Sequence, residues 1–219
     1  MQSPADHYVP ALFHDWLTPF YDSFIRWTIP ELTIKRQLVR QARIGRGLLV
    51  LDLGCGTATL TLLIKKTHPD ASIVGIDGDE NILAIASRKA KEQGLDITFD
   101  QGMAFNLPYD DASYDRIVSS LVFHHMTRDN KNKALGEAHR VLRSGGELHI
   151  ADFGKPHNAL MTIASLPWRV FDGLKTRADN VKGLMPDLMR QAGFVEVHEA
   201  ARYMSVFGTV SLYASRKAK

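Results

Sequence analysis

Leu48-Leu49-Val50-Leu51-Asp52-Leu53-Gly54-Cys55-Gly56-Thr57-Ala58-Thr59-Leu60 is the stretch that decides how this chain is read. A run of branched apolar residues, too short for a helix and bounded by glycines, reads as a buried parallel strand. Gly54 and Gly56 follow, and Thr57 to Lys66 is compatible with a helix. Strand, glycine turn and helix make the first unit of a nucleotide-binding α/β sheet. The glycines let the backbone turn sharply and let a ligand approach with no Cβ in the way. The helix start offers unpaired N–H groups and the positive end of a dipole. A dinucleotide fingerprint places a third glycine three residues after the second, and here that residue is Thr59. The acid that precedes the turn, Asp52, would repel a pyrophosphate but can attract an ammonium group.

An acidic strand end, a Gly-x-Gly turn and no third glycine resemble the first motif of the class I S-adenosylmethionine-dependent methyltransferases. The likeness continues at Ser72–Ile76, a second short strand ending in Asp77. That acid lies about 20 residues past the turn, where such folds hold ribose hydroxyls, and it would repel a 2′-phosphate. Asp79 reads as the N-cap of a helix over Glu80–Gln93. The third strand is expected at Leu95–Phe99. The segment after it, Gly102-Met103-Ala104-Phe105-Asn106-Leu107-Pro108-Tyr109, resembles the family's adenine-binding segment. Met103 stands where the family usually has an aspartate, and Gly78 where an apolar residue often packs on the adenine. Ala134 to Gly146, an Ala-x-x-Glu-Ala-x-Arg-Val-Leu-x-x-Gly-Gly run, resembles the segment after the family's fourth strand. The likeness is greatest to the branch containing ubiquinone and menaquinone C-methyltransferases.

Composition bounds the rest. The 219 residues fit one domain on a prior of ~150 residues each. A chain of this length buries roughly 70–75% of its unfolded surface, so one core suffices. Cys55 is the only cysteine, which excludes a disulfide framework and a cysteine-based zinc site; no metal ligand set is expected. The net charge is +3 and the pI near 9.0. Lys35, Arg36, Arg40, Arg43 and Arg46 gather ahead of the first strand and read as a solvated helix face rather than a nucleic-acid patch. No apolar run approaches the ~20 residues of a membrane span, and the N-terminus has no signal-peptide core. The expected location is cytoplasmic.

Residues 1–46 are expected to form an N-terminal helical cap, 47–156 a cofactor-binding core, and 157–219 acceptor-side helices and a closing hairpin, all within a single methyltransferase domain. In the cap, Glu31–Arg43 reads as a helix with Leu32, Leu38 and Val39 on one side, and the segment as a lid with Tyr21 or Trp16 facing the pocket. Tyr114–Ser120 is the fourth strand, Arg128–Leu142 an amphipathic helix, Arg143–Gly146 a turn and Glu147–Ala151 the fifth strand. The helical insert at 157–175 is split at Pro167. Leu184–Gln191 reads as a helix, and Phe194–Ala200 with Ser205–Ala214 as the hairpin.

The resemblance implies a Rossmann-like α/β fold, a seven-stranded, mostly parallel sheet of order 3-2-1-4-5-7-6 with the last strand antiparallel and helices on both faces. It implies S-adenosylmethionine as cofactor, with S-adenosylhomocysteine as product. Asp52 would sit near the methionine ammonium, with Gly54, Cys55, Gly56 and Thr57 cradling that end. Asp77 would hold the ribose, with Gly78 beside it, and Met103 and Ala104 would flank the adenine. Ser119 to His125, at the carboxyl end of a strand, reaches the reaction centre, with His125 and His124 as proton acceptors. Trp16, Tyr21, Phe123, Trp168 and Phe171 point to a small apolar or aromatic acceptor. The alternatives are an RNA or protein methyltransferase anchored by the basic helix, a nicotinamide dehydrogenase, which Asp52 and Thr59 oppose, and a non-catalytic cofactor-binding regulator.

Overall fold

The computed structural model describes residues 31–164 and 178–219. Their strands form one seven-stranded sheet, and its order is the one the resemblance implies, β3-β2-β1-β4-β5-β7-β6. β1 is Leu49–Leu53, β2 Ser72–Asp77, β3 Thr98–Gln101, β4 Tyr114–Ser120, β5 Leu142–Phe153, β6 Phe194–Ser205 and β7 Gly208–Lys217. β7 runs antiparallel to both its neighbours; the β1–β2, β1–β4, β2–β3 and β4–β5 pairs are parallel. Trp16, Tyr21, Pro167, Trp168 and Phe171 lie outside the described residues, as do most of the expected lid and insert.

The helices are α1 (Glu31–Ala42), α2 (Thr59–Thr67), α3 (Glu80–Glu92), α4 (Arg128–Val141), α5 (Ala178–Lys182) and α6 (Met185–Gln191). Strand residues alternate between two faces. Val50, Ile73, Val118, Ala151 and Leu212 meet α1 and α2 on one side. Leu51, Ile117, Leu148 and Ile150 meet α4 and α6 on the other. α1 is therefore packed into the core. Its inward stripe is Ile34, Lys35, Leu38, Val39 and Ala42, whereas Leu32, expected inside, is 40% exposed. Burial of Lys35 also takes the first residue out of the basic face.

Local signals place most boundaries. The Asp79 side chain caps α3, accepting from the N–H groups of Asn81 and Ile82. Gly193, at φ +98°, separates α6 from β6. The expected turn at Arg143–Gly146 is instead the start of β5. A register shift between Tyr114 and Arg116 absorbs the extra residues there. The hairpin turn is Ser205–Gly208, later than expected. The Ser205 hydroxyl donates to the Gly208 carbonyl at 2.7 Å and accepts from the Phe207 N–H at 3.2 Å.

Candidate active site

The carboxyl ends of β1, β2 and β4 bring most of the expected residues together, and β5 adds one that was not expected. Asp52 is 1% exposed near the end of β1, and its Oδ2 accepts from the Thr61 hydroxyl of α2 at 2.6 Å. Burial pushes its carboxyl up to about 6, against the pull of that hydrogen bond and of the Lys35 charge.

The turn that follows is held to β2, because the Gly54 and Cys55 N–H groups both donate to the Ile76 carbonyl, at 2.9 and 3.0 Å. Gly54 has φ +72°, and a Cβ there would stand 2.5 and 2.7 Å from the two Val122 methyls. Gly54→Ala therefore meets a left-handed backbone and a filled space together. Its expected cost is about 3 kcal/mol in urea unfolding, part of which Val122→Ala in the same chain restores. Gly56, at φ +53°, faces open space where its Cβ would be. Its N–H donates to Asp77 Oδ2 at 2.9 Å. Ala58 also lies in the left-handed region, at φ 65°, and starts α2 with no side-chain cap. The Cys55 thiol is buried and pushed far up by that burial, so it is an inert filler. Thr57 is buried, and its carbonyl accepts from Lys89 Nζ at 3.3 Å.

Asp77 ends β2. Besides Gly56 it accepts from the Asp79 N–H, at 3.1 Å through Oδ1. Burial raises its carboxyl above the usual range. A carboxylate has about four acceptor positions, so Asp77 keeps room for a further donor. The Gly78 carbonyl receives Gln101 Nε2 at 3.4 Å. Met103 bridges to Asn106, and with Gln101, Gly102, Phe105 and Pro108 these line a cavity of about 430 Å³. Ala104 packs against the main core.

Asp52 is in register with Val118, so Ser120 shares its side of the sheet and Ser119 does not. The Ser119 hydroxyl is fully buried and donates to the Leu53 carbonyl at 2.8 Å. It ties β4 to β1. The Ser120 hydroxyl is buried with no hydrogen-bond partner among the described residues. Beyond it, Leu121 is held at φ 61°, an uncommon state for a bulky residue and one that collects at functional sites.

Phe123–His125 is a 3₁₀ turn. Phe123, expected on the acceptor side, is fully buried in the core. His124 is 4% exposed, and its Nδ1 lies 2.8 Å from Oδ1 of Asp152, a fully buried residue of β5. Asp152 also accepts from the backbone N–H of His124 at 3.2 Å and of Phe153 at 2.7 Å. Burial by itself would raise the Asp152 carboxyl; the His124 ring, these hydrogen bonds and His125 more than offset that and hold it below the usual range. His125 is exposed, with its ring centroid 3.9 Å from that of His124. Sequence reasoning missed Asp152, although a carboxylate at a strand's carboxyl end was a signal already used for Asp52 and Asp77. Lys131, fully buried, has its ammonium pushed down by burial and back up by Asp179 and Asp152.

A family described as a methyltransferase domain matches residues 50–146. An uncharacterized methyltransferase of Synechocystis is 30% identical over 159 residues, 71% of either chain. The chain belongs to the class I S-adenosylmethionine-dependent methyltransferases. A demethylmenaquinone methyltransferase of Thermus thermophilus is 39% identical over 107 residues, 49% of this chain and 48% of that one. The chain spans about half the length of the first curated relatives it matches. The YcgJ protein of Bacillus subtilis shares the fold, with a TM-score of 0.71 at 18% identity over 85% of this chain and 99% of that one.

The family's cofactor is S-adenosylmethionine, and the residues of this chain fit it. The open side of Gly56 is a cradle a Cβ would fill. The buried Asp52 carboxylate suits an ammonium, and Asp77 suits a diol. A pyrophosphate at the glycine turn would meet the Asp52 carboxylate, which opposes the dehydrogenase alternative. No helix among the described residues is long and apolar enough to cross a membrane.

Proposed function

We propose that this protein methylates a small hydroxylated aromatic or quinol-like acceptor, with His124 as the proton acceptor. The observation that carries this is the buried His124–Asp152 pair, standing at the same strand ends as Asp52 and the glycine turn. When bound, S-adenosylmethionine supplies a methyl on a sulfonium, an electrophile that needs no further activation. The chain's own residues have three tasks. Asp52 and the Gly54–Thr57 backbone fix the amino-acid end, Asp77 fixes the ribose, and Met103 packs by the adenine. Such alignment can be worth ~7–11 kcal/mol in favourable cases. His124 takes the acceptor's proton at Nε2, and Asp152 holds its ring and stabilises the resulting imidazolium. His125 lies against that ring at the mouth.

The acceptor class rests on the relatives, several of which are demethylmenaquinone methyltransferases. The test is incubation with methyl-labelled S-adenosylmethionine and, separately, reduced naphthoquinones and a metabolite extract. Label in an aromatic small molecule is expected. Label only in RNA or protein, or none despite cofactor binding, defeats the proposal. His125→Ala is expected to lower turnover more than cofactor affinity, and less than loss of His124 does. Equal loss of both quantities defeats His125's part.

A further inference from the structure

Asp152 is a fully buried carboxylate, and its donors among the described residues are the His124 ring and two backbone N–H groups. A proton acceptor is neutral until it acts, so none of these donors brings a full positive charge beforehand. A buried anion is costly unless a charge stands against it. The chain offers one on the same side of the sheet. The buried stripe of α4 is Lys131, Ala134, Leu135, Ala138 and Val141. Ala134 and Leu135 share a cluster with Ile117, Leu148 and Ile150, and Asp152 alternates with Leu148 and Ile150 onto that face. α4 starts just past the turn at Phe123–His125, so its first turn lies at the carboxyl ends of the strands. Lys131 is in that turn, one turn beyond Leu135, with no exposed surface.

α5 closes the cluster from the other side. Asp179 Oδ1 takes the Arg128 guanidinium, through Nε at 3.1 Å and through Nη2. Its Oδ2 lies 3.7 Å from the Lys131 ammonium, an ion pair longer than a hydrogen bond. The next residue, Asn180, is fully buried, and its Nδ2 donates to the Phe153 carbonyl at 3.1 Å. Phe153 follows Asp152 in the chain. α5 is thus tied to the start of α4 and to the end of β5, the two elements that carry Lys131 and Asp152. The charges of Asp179 and Asp152 both act on the ammonium.

We infer that Lys131 is the counter-charge of Asp152, a positioning residue that holds this carboxylate behind His124, and that Asp179 steadies the ammonium from α5. This rests on the reading of His124 as the base. The cluster then carries matched charge, Arg128 and Lys131 against Asp179 and Asp152, until the acceptor's proton reaches His124.

A double-mutant cycle tests it, read by single-turnover methyl transfer to a reduced naphthoquinone, by cofactor calorimetry and by thermal melting. Lys131→Met is expected to slow transfer roughly 10- to 100-fold and to leave cofactor affinity unchanged. In an Asp152→Asn background, where the anion is gone, the same substitution should change the rate by no more than about twofold. Melting supplies a second reading. Lys131→Met lowers the melting temperature by leaving buried acids uncompensated, and adding Asp152→Asn restores part of the loss. If Lys131→Met alone does not fold, recovery of a folded chain by Asp152→Asn replaces the rate measurement, and no recovery overturns the inference. Full transfer in Lys131→Met, or the same fold-loss in both backgrounds, overturns it too. So does a melting temperature restored by Asp179→Asn and not by Asp152→Asn, which makes Lys131 a structural partner of α5 only. If His124→Ala transfers methyl groups at the wild-type rate, the base reading falls first and takes this with it.

Discussion

Replacing His124 with alanine lowers turnover by about 10²- to 10⁴-fold, the usual contribution of a positioned base, and leaves cofactor affinity nearly unchanged. The expectation follows from its partner. An ionised Asp152 can only accept, so the imidazole Nδ1 must donate to it, and the lone pair is left on Nε2. Asp152→Asn keeps the size but can present an N–H to Nδ1. The ring then carries its proton on Nε2 and has no base to offer. Turnover should fall as far as with alanine at 124, although the histidine is still there. Single-turnover methyl transfer from labelled cofactor measures this. Wild-type turnover in either one removes His124 from the chemistry.

Asp52→Asn is the second large effect, and its two parts have opposite signs. A carboxyl held at about 6 rather than 3.8 costs about 3 kcal/mol when ionised at pH 7.5. The unliganded variant should therefore be the more stable protein at that pH. The sign follows from linkage. The folded state holds the proton more tightly, so the wild-type contribution is present below pH 3.8 and is lost as pH rises through about 6. The variant should lose that slope. Cofactor binding should move the other way, weakening about 10- to 100-fold with the charged partner gone. In the wild type, affinity should rise with pH up to about 6, roughly tenfold per unit, and then level off. Calorimetry and urea unfolding between pH 4.5 and 7.5 check both. An asparagine variant less stable than wild type at pH 7.5 contradicts the account.

What could be read in advance was local. Leu49–Leu53, the two glycines, Asp77 and the Asp79 cap each rest on a few adjacent residues, and each element sits where the sequence put it. What could not be read depended on partners far along the chain. Asp152 and His124 are 28 residues apart and meet because β4 and β5 are neighbours. Whether Ser119 or Ser120 faces Asp52 turns on strand register, where a shift of one residue exchanges the faces. At α1 the error was one of weight. Lys35 falls on the stripe Ile34, Leu38, Val39 and Ala42, but its charge argued for the solvated side, while apolar Leu32 argued for the core. The length of β5 and the hairpin turn were misplaced because cross-strand pairing, rather than propensity, extends both.

The place of β7 carries one more consequence. It is made after β6 yet lies between β6 and β5. During synthesis, β6 emerges with nothing to pair against, and β5 waits as a naked border lined with Leu148 and Ile150. Such borders recruit other chains. Until β7 pairs with it, that border is the part of the sheet most open to pairing with another chain.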